Sequence, residues 1–217
     1  MTVHTTRRWG RRPATRGESF QRLKRHQGGL QAVKVMPGGY YVTTHVDEVM
    51  VTVLGSCVAA CIRDPELGIA GMNHFMLPAH PRQDIGSTTE RMRYGVHAME
   101  VLINELLASG SRREGLEVKV FGGANMRSSA PASTEIGSEN VAFVSEYLSK
   151  EGMAVAAEHL GGDQPRRIHY YPATGKVRML LLDRIESRDL ARDEEIYRHR
   201  LRRRPRAGDT DSEPELF

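Results

Sequence analysis

Disulfide bonding has almost nothing to draw on in this chain, because only two of its 217 residues are cysteine, Cys57 and Cys61. On one extended strand their Cα atoms would lie roughly 13 Å apart at about 3.3 Å per residue. That exceeds the roughly 7 Å a bridge can span, so both are expected as reduced thiols. Long apolar runs are missing too: none approaches the roughly 20 residues needed to span a bilayer. The opening MTVHTTRRWGRRPATRG lacks the apolar segment of a secretory signal. It is Arg-rich and acid-poor, as organellar presequences are, but does not read clearly as an amphipathic helix. The expectation is a cytoplasmic protein without membrane insertion. Nucleotide-binding signatures are also absent, since FGGANM is not GxGxxG and no Walker sequence occurs. A zinc site from Cys57, Cys61 and His74 would lack an obvious fourth ligand and the short CxxC knuckle. No metal and no cofactor are expected.

What is present is an ordinary soluble composition, 39% hydrophobic and 27% charged, with a net charge of +4. The positive excess lies at the two ends, in a series from Arg7 to Arg25 and in Arg202, Arg203, Arg204 and Arg206. Basic arms can bind nucleic acid. These carry no RNA-binding signature and a single tryptophan, Trp9, so they read as solvated tails and no nucleic-acid partner is expected. The chain divides into a basic flexible extension (residues 1–29), one catalytic-sized domain (30–185), a surface helix (186–205) and a disordered tail (206–217).

Within the domain, LQAVKV and YYVTT flank MPGG as a hairpin, and EVMVTVL reads as a buried strand. CVAACIR and GIAGMNHFML form a strand pair around DPELG. The segment from Ser87 to Gly110 predicts a helix, with Ser87 and Glu90 in a capping-box pattern and Ala98, Val101, Leu102 and Leu106 at helical spacing. SENVAFVSEYLSKEG predicts a second, with Val141, Val144 and Leu148 on one face. LEVKVFGGA, MAVAAEHLGG, RRIHYY and KVRMLLL complete the strands, the last two joined by PATG. Strands outnumber helices and several neighbours are hairpin-linked. The fold class is therefore α+β: an α/β layered sandwich of mixed, mainly antiparallel strands with two principal helices.

The stretch from Val51 to Pro78, VTVLGSCVAACIRDPELGIAGMNHFMLP, concentrates the chemistry. If Asp64–Leu67 is a four-residue turn, Arg63 pairs with Gly68 and Cys57 falls directly opposite His74. A neighbouring imidazolium stabilises a thiolate, which can attack an acyl carbon while the histidine protonates the leaving group. Gly55 permits a tight approach to the nucleophile, and backbone N–H groups around Ser56 and Cys57 could cradle the oxyanion. Thr52 is the local candidate to orient the histidine, with Ser56 and Asn73 as alternatives. Each residue also has an ordinary use: the cysteines as small core hydrophobes, Thr52 as a strand former, His74 as a hairpin histidine.

LGSCVAACIRDPELGIAGMNHFMLP resembles the signature of the CheD family of chemoreceptor glutamine deamidases. The resemblance continues through YGVHAMEVLINEL, KVFGGANM, IGSENV and LGGDQPRRIHYYPATGKV, from about residue 31 to 182. It implies a layered sandwich similar to Cys-His deamidating toxins and hydrolysis of selected glutamine amides on methyl-accepting chemotaxis proteins. By the same resemblance Cys57 is the nucleophile, His74 the acid/base and Thr52 the third member, Cys61 is structural, and CheC phosphatase is a further partner of some members. Such a substrate glutamine lies on a long receptor helix, which favours an exposed groove. Competing readings use the same pair for transglutamination, another amide or a methyl ester. A different class of reading is a non-catalytic binding regulator of CheC or of the receptor array.

Overall fold

The computed structural model describes residues 15–23, 29–77, 85–125 and 136–183, together with 196, 197 and 201; of residues 85–90 it describes the backbone only. Among these residues nine strands and two main helices follow one another. They are β1 (Thr15–Arg22), β2 (Gln31–Thr43), β3 (Glu48–Leu54), β4 (Val58–Asp64), β5 (Ile69–Asn73), α1 (Ile85–Ala108), β6 (Glu117–Gly122), α2 (Ile136–Lys150), β7 (Val155–Leu160), β8 (Arg166–Tyr171) and β9 (Lys176–Leu181). All nine strands join one curled sheet in the order β7-β6-β4-β5-β2-β3-β8-β9, with β1 on β2. Only the β2–β3 and β6–β7 pairs are parallel. The class is α+β, as expected, and no helix among the described residues is long and apolar enough to cross a membrane.

Strand periodicity sorts the side chains of β4 onto two cores. Val58, Ala60 and Ile62 pack with Met99, Leu102, Ile103 and Leu106 of α1 and with Phe143, Val144 and Leu148 of α2. Ala59 and Cys61, with Cys57 just before the strand, turn the other way, into a core shared with Val33 and Val35 of β2, Met50 and Leu54 of β3 and Ile168 and Tyr170 of β8. Helices therefore cover one face of the sheet, and its curl closes the other face on itself. At about 25 cal/mol per Å² of apolar surface, both cores contribute to stability, but the second is where the chemistry-bearing residues gather.

Several local expectations change. MPGG is not a hairpin turn: β2 runs through it, and the pairing with β1 jumps from Glu18↔Tyr40 to Phe20↔Val35. Gly38, at φ 79°, absorbs the distortion. β1 itself lies within the stretch expected as a free extension; charged residues alternate along it and mask a strand whose Phe20 packs on Tyr41 at 4.7 Å between ring centroids. α1 begins at Ile85, so Ser87 sits inside the helix rather than at its cap. α2 begins two residues before Ser138. The proposed surface helix over 186–205 lies outside the described residues apart from Ile196, Tyr197 and Leu201, which are helical. The 206–217 tail lies outside them entirely.

Candidate active site

The turn after β4 sets the register of the site. Asp64 belongs to the strand and pairs with Ile69. Its Oδ1 accepts the N–H groups of Glu66 and Leu67, at 2.9 and 3.0 Å. Gly68 takes φ 65° and is consumed by the turn, because few other residues adopt that conformation cheaply. The ladder is therefore two residues out from the count that put Cys57 directly opposite His74. The bridge between Val58 and Phe75 fixes the result: each exchanges backbone hydrogen bonds with the other at 2.9 Å. Cys57 and His74 each precede one of these residues, so they occupy diagonal positions on the inner face. A shift of two residues preserves the face, where a shift of one would not.

His74 is held through both its backbone and its ring. Its N–H donates to Gly39 O at 2.9 Å and its carbonyl accepts from Gly38 N–H at 2.7 Å, so the MPGG bulge serves the histidine. Thr52 of β3 places Oγ1 2.8 Å from His74 Nδ1 and 2.9 Å from the Val35 carbonyl. A carbonyl only accepts, so the single Thr52 hydroxyl proton goes to Val35 and Oγ1 accepts from Nδ1–H. That assigns the bare lone pair to Nε2, which is buried and makes no hydrogen bond.

Burial pushes the His74 pKa down to about 4; the Val35 carbonyl opposes this and nearby Lys34 adds to it. The imidazole is thus neutral at rest and poised as a base. No hydrogen bond joins the Cys57 thiol to Nε2. Such contacts often tighten only when substrate binds. Cys57, His74 and Thr52 are 0%, 2% and 2% exposed, so the resting site is closed rather than an open groove. Phe75, Met76 and Leu77 are buried core residues.

The other candidates have different employment. Asn73 donates to Ala98 O and accepts Ala60 N–H, at 2.9 and 2.8 Å. The Ser56 hydroxyl donates to the Met76 sulfur at 3.5 Å. Cys61 shares the inner core with Cys57, and burial drives its thiol pKa well above the ordinary range. Among the described residues no three His, Cys, Asp or Glu side chains gather as metal ligands.

The two glycine motifs, whose role was open in the sequence, wrap the nucleophile loop. Gly123 N–H donates to Cys57 O and Ala124 N–H to Gly55 O, both at 2.7 Å. Gly122, at φ 119°, lies so close that a Cβ there would stand 2.1 Å from Cys57 O. LGGDQP then binds this turn, through Gly161 N–H to Gly122 O at 2.9 Å and Asn125 N–H to Gly162 O at 2.8 Å. Arg166, 1% exposed, reaches from β8 to the carbonyls of His159, Gly161 and Gln164 and to His159 Nδ1. It has no carboxylate partner among the described residues and braces the loop through carbonyl dipoles instead. Sequence reasoning missed this arginine; a lone Arg after a glycine loop carries no signal without the fold.

The profile of a family described as CheD chemotactic sensory transduction matches residues 76–180. A probable chemoreceptor glutamine deamidase CheD of Rhodopseudomonas palustris is 47% identical over 191 residues, covering 88% of each chain. The chain belongs to the CheD family. A probable chemoreceptor glutamine deamidase CheD of Methylobacillus flagellatus is 48% identical over 188 residues, 86% of this chain and 90% of its own. Another from Ralstonia nicotianae is 51% identical over 147 residues, 68% of this chain and 62% of its own.

Proposed function

We propose that the chain is a chemoreceptor glutamine deamidase, a hydrolase that converts selected glutamine side chains of methyl-accepting chemotaxis proteins to glutamate and ammonia. The observation that carries this reading is the relay from Val35 O through Thr52 Oγ1 to His74 Nδ1, which leaves Nε2 bare in the layer that holds Cys57. His74 Nε2 takes the Cys57 proton as Sγ attacks the carboxamide carbon. The tetrahedral intermediate collapses, and the same nitrogen returns the proton to the leaving NH₂, releasing ammonia and a thioester. Water then loses a proton to Nε2 and attacks the thioester carbon; Sγ departs, is reprotonated, and glutamate is freed. Thr52 holds the tautomer that makes each transfer available.

The receptor gains a carboxylate where it had a neutral amide, which suits a role in chemotactic adaptation in the cytoplasm. The likeness to Cys-His deamidating toxins and a CheC partner belong to this same reading. The test is peptide mass spectrometry of a receptor cytoplasmic fragment, where each Gln→Glu conversion adds about 1 Da. Wild type and Cys61→Ala convert it and Cys57→Ala does not. A fragment that gains no mass with wild-type protein defeats the proposal and favours a binding regulator.

A further inference from the structure

IGSENV was singled out in the sequence, yet none of its residues enters the reaction above. Its local structure shows what each does. Gly137 sits in the first turn of α2, where a Cβ would come within 2.6 Å of Ala124 O and 2.7 Å of Gly123 O. The helix start can therefore press directly on the glycine turn that binds Cys57. Asn125 secures the contact, accepting Ser138 N–H at 3.1 Å and donating to Ser138 Oγ at 2.8 Å. Asn140 follows Gly137 by three residues and so projects from the same helix face.

Asn140 is fully buried, and both ends of its amide are engaged. Nδ2 donates to Ser56 O at 2.8 Å, and Oδ1 accepts Leu77 N–H at 2.8 Å. The partner types leave no freedom in the amide's orientation, since a carbonyl requires a donor and an N–H requires an acceptor. One side chain thus ties the peptide before Cys57 to the segment three residues after His74. Ser56 O belongs to the Ser56–Cys57 peptide, which is trans and planar. Fixing the direction of its carbonyl fixes the opposite direction of the Cys57 N–H and the N–Cα bond leading to the carbon that carries the side chain.

We propose that Asn140 is a positioning residue for deamidation, setting the Ser56–Cys57 peptide plane against the His74 segment. The proposal rests on the reading of Cys57 as nucleophile. It differs from a packing role, because packing would tolerate an isosteric group whereas positioning needs a donor toward Ser56 O.

The experiment is steady-state ammonia release from a receptor fragment by Asn140→Asp, Asn140→Ala, Cys57→Ala and wild type, with rates expressed per folded molecule. Asn140→Asp keeps the size and the acceptor for Leu77 but, when ionised, has no donor. It is expected to lose about 100-fold in kcat near pH 8 with KM changed less than about twofold. A protonated carboxyl can donate again, so the variant-to-wild-type ratio of kcat rises as pH is lowered toward about 5. Asn140→Ala, the substitute should the carboxylate prevent folding, loses kcat at every pH. An Asn140→Asp enzyme with wild-type kcat or with a loss that is the same at every pH, or an Asn140→Ala enzyme with wild-type kcat, overturns the positioning role. If instead Cys57→Ala turns over like wild type, the nucleophile reading fails and takes this proposal with it.

Discussion

Thr52 Oγ1 stands 2.8 Å from His74 Nδ1 across two strands that are not neighbours in the sheet order, β2 lying between β3 and β5. β2 pairs with β3 through residues 31–34 and with β5 through residues 40–43, and between those stretches its Val35 carbonyl lies 2.9 Å from the same hydroxyl. One hydroxyl thereby holds the imidazole in the tautomer with Nε2 bare.

Removing that hydroxyl at constant shape is expected to slow the reaction while the fold survives. Thr52→Val should lower kcat about 10- to 100-fold, because a free ring spends time in the wrong tautomer. Thr52→Ser keeps the relay and should recover most of the rate. Steady-state kinetics on a receptor fragment checks both.

Stability should depend on pH through His74. Its folded pKa is about 4, below the ordinary 6.5, so between those values the unfolded chain binds the proton more readily. The stabilisation from keeping the ring neutral is complete above about pH 6.5 and is lost as pH falls toward about 4, by roughly 3 kcal/mol at most. Denaturant titrations across that window should show the decline, and His74→Gln should flatten it.

The two thiols should separate chemically despite sharing one core. Cys57→Ala should abolish turnover. Cys61→Ala should leave kcat within about twofold and cost about 1 kcal/mol of stability, the scale of a small core truncation. Burial holds the Cys61 thiol protonated well above the ordinary range, so iodoacetamide near pH 8 should leave it unmodified in the folded protein. Peptide mapping after alkylation reads this directly.

Two glycines with positive φ should respond differently to alanine. Gly122→Ala would drive a Cβ to 2.1 Å from Cys57 O, whereas nothing lies within 4 Å of a Cβ at Gly152. Gly152→Ala carries backbone strain alone, about 1 kcal/mol. Gly122→Ala displaces the nucleophile loop and should cost both stability and most of kcat. Thermal melts with parallel activity assays separate the cases.

Much of this protein is written in local pattern. Apolar repeats placed α1 and α2 within two residues at their starts, and β-branched density marked Glu48–Leu54. The hairpin around PATG followed from its turn residues, with Tyr171 pairing with Lys176. Residue chemistry and an assumed turn length nominated Cys57, His74 and Thr52 beside their ordinary uses, and the family resemblance singled them out. Tertiary structure decided what such patterns do not encode. The role of MPGG depended on β1 pairing on both sides of it, a contact between segments whose charged residues disguised the strand. The register of β4 on β5 turned on Gly68 adopting φ 65°, a choice of the folded turn. The state of His74 was the furthest from reach. Its charge depends on water excluded by β2, β3 and β5 together, and desolvation is a property of the assembled interior rather than of any residue's neighbours in the chain.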